Sequence, residues 1–169
     1  MWLIALAACT SSTAHTADSD TDLPTCADAT ASPPCAVAVR DLGWLETPGG
    51  DETIGPDDCG NPIVEVLADE LAWSEWRTSH IPASSSFEFH SVDWPTEQVV
   101  ASATPCRNGG YEGLTMESLV QSSEGTYIAH YVLARTDTDT SMVTRQLSAS
   151  AMPSAHVVVI TAELTVDAP

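Results

Sequence analysis

Lysine is absent from all 169 residues, and the basic side chains are five arginines: Arg40, Arg77, Arg107, Arg135 and Arg145. Against them stand 24 Asp and Glu, for a formal net charge of −19. Without a lysine amine, a Walker-type phosphate loop and Schiff-base chemistry are both excluded. The charge balance also argues against nucleic acid as a partner, since such binding draws on several Lys/Arg–phosphate contacts. Other signatures are missing too. No C-x-x-C pair occurs, so a zinc ribbon or thioredoxin-like redox site has no basis. Gly-x-Ser-x-Gly, His-Glu-x-x-His and Gly-x-Gly-x-x-Gly are absent, which removes the common sequence grounds for a hydrolase elbow, a zinc protease or a dinucleotide fold. No cofactor or metal is expected. What remains is 43% apolar residues, enough for the core of one domain.

The chain opens Met-Trp-Leu-Ile-Ala-Leu-Ala-Ala-Cys and turns polar at once. This apolar run falls short of the roughly 20 residues that cross a bilayer. It matches the apolar region of a secretory signal, with small residues before a cleavage point. Leu6-Ala7-Ala8-Cys9 resembles the lipobox of bacterial lipoproteins, which implies cleavage after residue 8 and a diacylglycerol on the Cys9 thiol. No Lys or Arg precedes the run, which departs from the usual signal.

Residues 9–35 are rich in Ser, Thr, Ala, Asp and Pro and carry few large apolar side chains. Such a stretch buries too little surface to offset its ordering entropy, so it reads as a disordered tether. Asp18-x-Asp20-x-Asp22 starts like a calcium loop, but Leu23 stands where glycine is needed and Ala29 where glutamate is needed. Asp137-x-Asp139 fails in the same way at Met142.

The five cysteines are Cys9, Cys26, Cys35, Cys59 and Cys106. Assigning Cys9 to lipid leaves an even four, and four allow three pairings. Cys26–Cys35 is favoured as a local clip and Cys59–Cys106 as a tie between two loops, both consistent with an exported chain.

From Ala36 to Pro169 the pattern is that of one small α+β domain. Cys35–Arg40 alternates as a first strand, and the Gly/Pro/Asp-rich residues 47–61 form a loop. Pro62–Leu67 reads as a strand. Asp69 then caps a helix that carries Leu71, Trp73, Trp76 and Arg77 and ends at Ile81-Pro82. Strands follow at Glu97–Ala103, Tyr111–Val120, Thr126–Arg135, Val143–Ser148 and His156–Val166, with turns between them. The expectation is an antiparallel β-sheet meander with one short helix packed on it.

Among candidate chemistry, His130 and His156 could meet across paired strands, although solvent-face or core roles are commoner for strand histidines. Acids are so numerous that two lying close together would carry no glycosidase signal. Trp73, Trp76 and Trp94 read best as core, with a sugar-stacking platform as the less favoured role. Arg107-Asn-Gly109-Gly110-Tyr111 reads as a turn whose glycines supply positive φ. That reading is the favoured one, and it is compatible with presenting an arginine and a tyrosine to a partner, a pair enriched in interface hot spots.

The order of these features over residues 62–160 resembles the PrcB C-terminal-like domain family, found in protease-complex-associated bacterial lipoproteins. The counterparts are Ile63–Leu67, the helix with Trp73, Val92-Asp93-Trp94, Glu97–Val100, Arg107–Tyr111, and Met152-Pro153 before Val157–Ile160. The family's turn has threonine where Asn108 stands, and Cys59 and Cys106 are outside its pattern. The resemblance implies a non-catalytic domain that binds or stabilises an exported partner, a protease in the namesake case. Cys9 would anchor it in the cell envelope, on the periplasmic face or the cell surface. Arg107, Gly109, Gly110, Tyr111 and Trp94 would be the first candidate partner contacts. The competing reading is a secreted carbohydrate-binding module or hydrolase that uses surface acids and tryptophans.

Overall fold

The computed structural model describes residues 23–27, 31–48, 63–104, 111–135 and 144–167. Cys9, Cys59, Cys106, Arg107, Gly109 and Gly110 lie outside these residues. The elements run β1 (Cys35–Ala36), β2 (Arg40–Pro48), β3 (Ile63–Leu67), α1 (Glu70–His80), β4 (Glu97–Thr104), β5 (Tyr111–Ser123), β6 (Thr126–Arg135), β7 (Thr144–Pro153) and β8 (Val159–Val166). The fold is mostly antiparallel β with one short helix, as the sequence implies.

Among the described residues two four-stranded sheets form, in the orders β1-β5-β6-β8 and β2-β7-β4-β3, rather than a single meander. The β5–β6 hairpin closes through the Glu124-Gly125 turn. The chain then leaves that sheet, because β7 pairs with β2 and β4 in the other one. On its return, β8 lies parallel to β6 and forms, among the described residues, the one parallel pair between named strands. The sequence also gives no warning of β2, where Gly43 and a register shift between Asp41 and Gly43 interrupt the alternation.

The second sheet is the middle of three layers, which explains its composition. Alternate residues of a strand face opposite sides. On β4 and β7, Val99, Ala101, Ala103, Leu147, Ala149 and Ala151 join a core with Trp73 and Trp76 of the helix. Val100 and Met152 on the opposite side pack with Leu114, Leu119, Tyr127, Tyr131 and Leu133 of the other sheet. Ser102, Thr104, Gln146 and Ser148 are as buried as their apolar neighbours. Tyr131 faces this seam, and burial pushes its hydroxyl pKa well above the ordinary tyrosine value, with Ser102 beside it acting in the opposite sense.

The helix is built as its sequence suggests. The Asp69 carboxylate accepts the Ala72 N–H at 2.9 Å, meeting one orphan donor of the first turn. Glu70 sits at the positive end of the helix dipole, and Arg77 and His80 at the negative end. The buried face carries Trp73 and Trp76, with ring centroids stacked 5.5 Å apart. Phe89 meets Trp73 edge-on at 5.1 Å, and the Arg77 guanidinium carbon lies 5.8 Å from the Trp73 ring centre.

Candidate functional site

The N-terminal boundary of the fold is a closed covalent ring. Cys26 and Cys35 are joined by a disulfide, nine residues apart in sequence, with Cα atoms 5.1 Å apart. Backbone bonds hold the ring down: Cys26 N–H donates to Ala36 O at 2.8 Å, and Ala36 N–H donates to Pro24 O at 2.9 Å. Cys35 is buried, and β1 pairs antiparallel with β5 through Cys35 opposite Gln121. Pro24, Thr25, Cys26 and Cys35, within the stretch that composition reads as tether, are therefore bonded to the domain. A cleft of about 240 Å³ opens beside the ring, lined by Cys26, Val37, Gln121, Tyr127, Met152 and Pro153 among others. Burial at its floor raises the pKa of Tyr127.

At the same end of the middle sheet, Arg40 and Glu97 clamp β2 to the start of β4. The Arg40 Nη2 also donates to Ser91 O at 3.0 Å, and Asp93 N–H donates to Glu97 Oε2 at 2.9 Å. The Arg40 side-chain bond, followed by the Asp93 backbone bond, holds the Glu97 carboxyl below its usual pKa. This fixes the 91–97 segment that carries Trp94. Trp94 is half-buried and packs against the helix-side core.

Of the Arg107–Tyr111 turn, only Tyr111 falls among the described residues, at the start of β5 and opposite Arg135. Two residues further on, Gly113 lies under the Trp44 indole of β2. Trp44 is 40% exposed, which makes it the large aromatic that sequence reasoning overlooked. Its signal was hidden because β2 itself was not recognised. Trp73 and Trp76 are in the core and offer no platform to a sugar.

The two strand histidines do not meet. His130 Nδ1 lies 3.2 Å from Glu163 Oε2 across the β6–β8 pair, whereas His156 sits in the link before β8, close to Gly125. A histidine dyad would need β8 antiparallel to β6 in a register that the parallel pairing forbids. Among the described residues, no three His, Cys, Asp or Glu side chains gather as a metal ion requires, and no helix is long and apolar enough to cross a membrane.

Comparison with protein-family models, with curated proteins and with solved structures returns no match for this chain.

Proposed function

We propose that this chain is an exported, lipid-anchored protein of the bacterial envelope whose folded domain binds or stabilises another exported protein. The observation that carries the reading is the Cys26–Cys35 disulfide at the N-terminal margin of the fold. Structural disulfides persist in oxidising compartments, which favours export over a cytosolic home. The clip stands where the polar segment after Cys9 reaches the domain, the place at which a tethered domain benefits from reinforcement. The lipobox-like Leu6–Cys9 supplies the anchor, and the several acyl chains that such cysteines carry make that anchoring stable. The resemblance to the PrcB C-terminal-like family supports a protein partner, with a protease as the type of partner found in the namesake.

The mechanism is tethering. Lipid fixes the chain to a membrane, and the domain meets its partner through residues Arg107–Tyr111 and the segment that carries the half-buried Trp94. The acidic surface keeps the domain away from nucleic acid and anionic headgroups. Of the 24 acids, Asp18, Asp20, Asp22 and Asp28 precede residue 36, and the other 20 against five arginines leave residues 36–169 at −15.

The test is fractionation combined with co-purification. Cys9→Ser is expected to move the protein from the membrane to the soluble fraction, and unchanged fractionation overturns the anchor. Detergent extraction of the full chain is expected to recover a stoichiometric exported protein. Glycan binding with no protein partner overturns the interaction reading in favour of the carbohydrate-binding alternative.

A further inference from the structure

Among the described residues, three of the six exposed large apolar side chains lie on or beside one strand: Val158 at 66%, Val159 at 46% and Val166 at 44% exposure. That strand is β8, which ends its sheet among the described residues. The phase of its hydrogen bonds shows which backbone groups are spare among the described residues. Val159 N–H donates to Gly125 O at 3.0 Å, and Asp167 N–H donates to Leu133 O at 3.1 Å. Alternate residues of a strand point their backbone groups the same way. Residues 159, 161, 163, 165 and 167 therefore bond towards β6. Ile160, Ala162, Leu164 and Val166 turn their N–H and C=O groups to the open edge.

Sheet edges are ordinarily blunted by lysine, proline or a bulge. Between residues 159 and 166 there is neither lysine nor proline, and the pairing with β6 runs without a register shift. The one charged residue, Glu163, stands on the outer face beside His130. The edge is straight and apolar at its ends, with four outward pairs of backbone groups.

We infer that β8 is a strand-addition site that takes an extended, β-branched segment of the exported partner carrying lysine or arginine at its ends. The inference rests on the interaction reading above and names its surface and mode. Main-chain bonds to residues 160, 162, 164 and 166 supply the register, and Val159 and Val166 supply apolar contact on the flanks. Charge selects the occupant. A domain at −15 attracts a basic segment. A second copy is disfavoured, because β8 paired antiparallel with itself in near-full overlap sets Glu163 opposite its own copy or two places from it.

The probe is a synthetic eight-residue peptide that alternates valine and threonine between terminal lysines. The readout is amide hydrogen exchange followed by NMR on the full chain in detergent. The amides of Ile160, Ala162, Leu164 and Val166 are expected to exchange fast in the free protein and to slow on binding, while those of Thr161 and Glu163 change little. Ala162→Pro removes the central outward N–H at an edge position that tolerates proline, and is expected to weaken the peptide about tenfold. Val166→Lys leaves the ladder to β6 intact and is expected to weaken it as well. Protection confined to another surface, equal binding of a glutamate-ended peptide, or a peptide-free dimer that already protects these four amides overturns the inference. The two readings fail separately. Undiminished partner recovery by Val166→Lys and Ala162→Pro removes strand addition and leaves partner binding intact, whereas wild-type protein that recovers no partner removes the interaction reading itself.

Discussion

Arg40 holds Glu97 through both carboxylate oxygens, Nη2 to Oε2 at 2.6 Å and Nε to Oε1 at 3.3 Å. The two residues belong to strands that are not neighbours, since β7 runs between β2 and β4. The pair therefore ties the outer strand of the sheet to its centre over the end of β7, where Ala151 and Pro153 stand opposite them.

That contact has a definite pH signature. The folded-state pKa of Glu97 lies below its ordinary value of 4.5, so its stabilisation is fully present above that value and fades as the pH falls through the depressed one. Glu97→Gln is expected to lower stability at pH 7 by about 0.5–1 kcal/mol, the size of an exposed ion pair. Thermal melts of both proteins from pH 7 to pH 3 check this. The wild-type advantage should shrink below about pH 4.5 and not above it.

Two glycines separate backbone strain from steric strain. Gly113 (φ +84°) and Gly125 (φ +70°) both occupy the left-handed region. A Cβ at Gly113 would come 3.4 Å from the Trp44 ring, an ordinary contact, whereas at Gly125 it would come 2.8 Å from Val158 Cγ2. Gly113→Ala should therefore cost the conformational penalty alone, about 1 kcal/mol, and Gly125→Ala clearly more. Chemical denaturation of both variants should show that order, and adding Val158→Ala should relieve only the second.

The disulfide ring should contribute through the unfolded chain. For a closed loop of this length the entropic estimate is about 2.5 kcal/mol. Replacing Cys26 and Cys35 together with alanine is expected to reduce the unfolding free energy by up to that amount, with far-UV circular dichroism unchanged. A reductant should lower the melting temperature of the wild type and leave that of the double variant alone.

On the helix, Leu71 and Trp73 are two residues apart and opposite in consequence. Leu71 is 69% exposed and Trp73 is 6% exposed. Leu71→Ala is expected to change stability by less than about 0.5 kcal/mol. Trp73→Ala removes a ring in contact with Trp76 and Phe89 and should cost about 3–5 kcal/mol. Urea titrations of the two variants measure the contrast directly.

What could be read from the sequence was mostly local. Asp69 followed by tryptophans three residues apart defines a capped, one-faced helix, and Glu124-Gly125 between two alternating runs defines the β5–β6 hairpin. The clip from Cys26 to Cys35 could also be proposed from short-range arithmetic. What escaped was set by distant parts of the chain. Thr144-Arg-Gln-Leu-Ser-Ala-Ser-Ala alternates like a strand with one wet face, yet β7 has a layer on each side and its serines are buried. Nothing in residues 126–135 indicates that the next strand joins another sheet, or that β8 returns parallel. The candidate surface was partly hidden for the same reason. Trp44 lies in a strand masked by Gly43, and the spare edge of β8 exists only once its parallel pairing is known.

The disulfide ring also decides how a pull on the N-terminal segment reaches the domain. Force arriving at Cys26 crosses directly to Cys35 through sulfur, and from there to β5, without passing along the residues in between. Beyond the 5.1 Å that the bridge already spans, those residues hold about 25 Å of contour that the oxidised protein cannot release. A domain leashed this way answers a tug as a stiff attachment. In a single-molecule stretching trace, reduction should add that length as a separate early step before either sheet gives way.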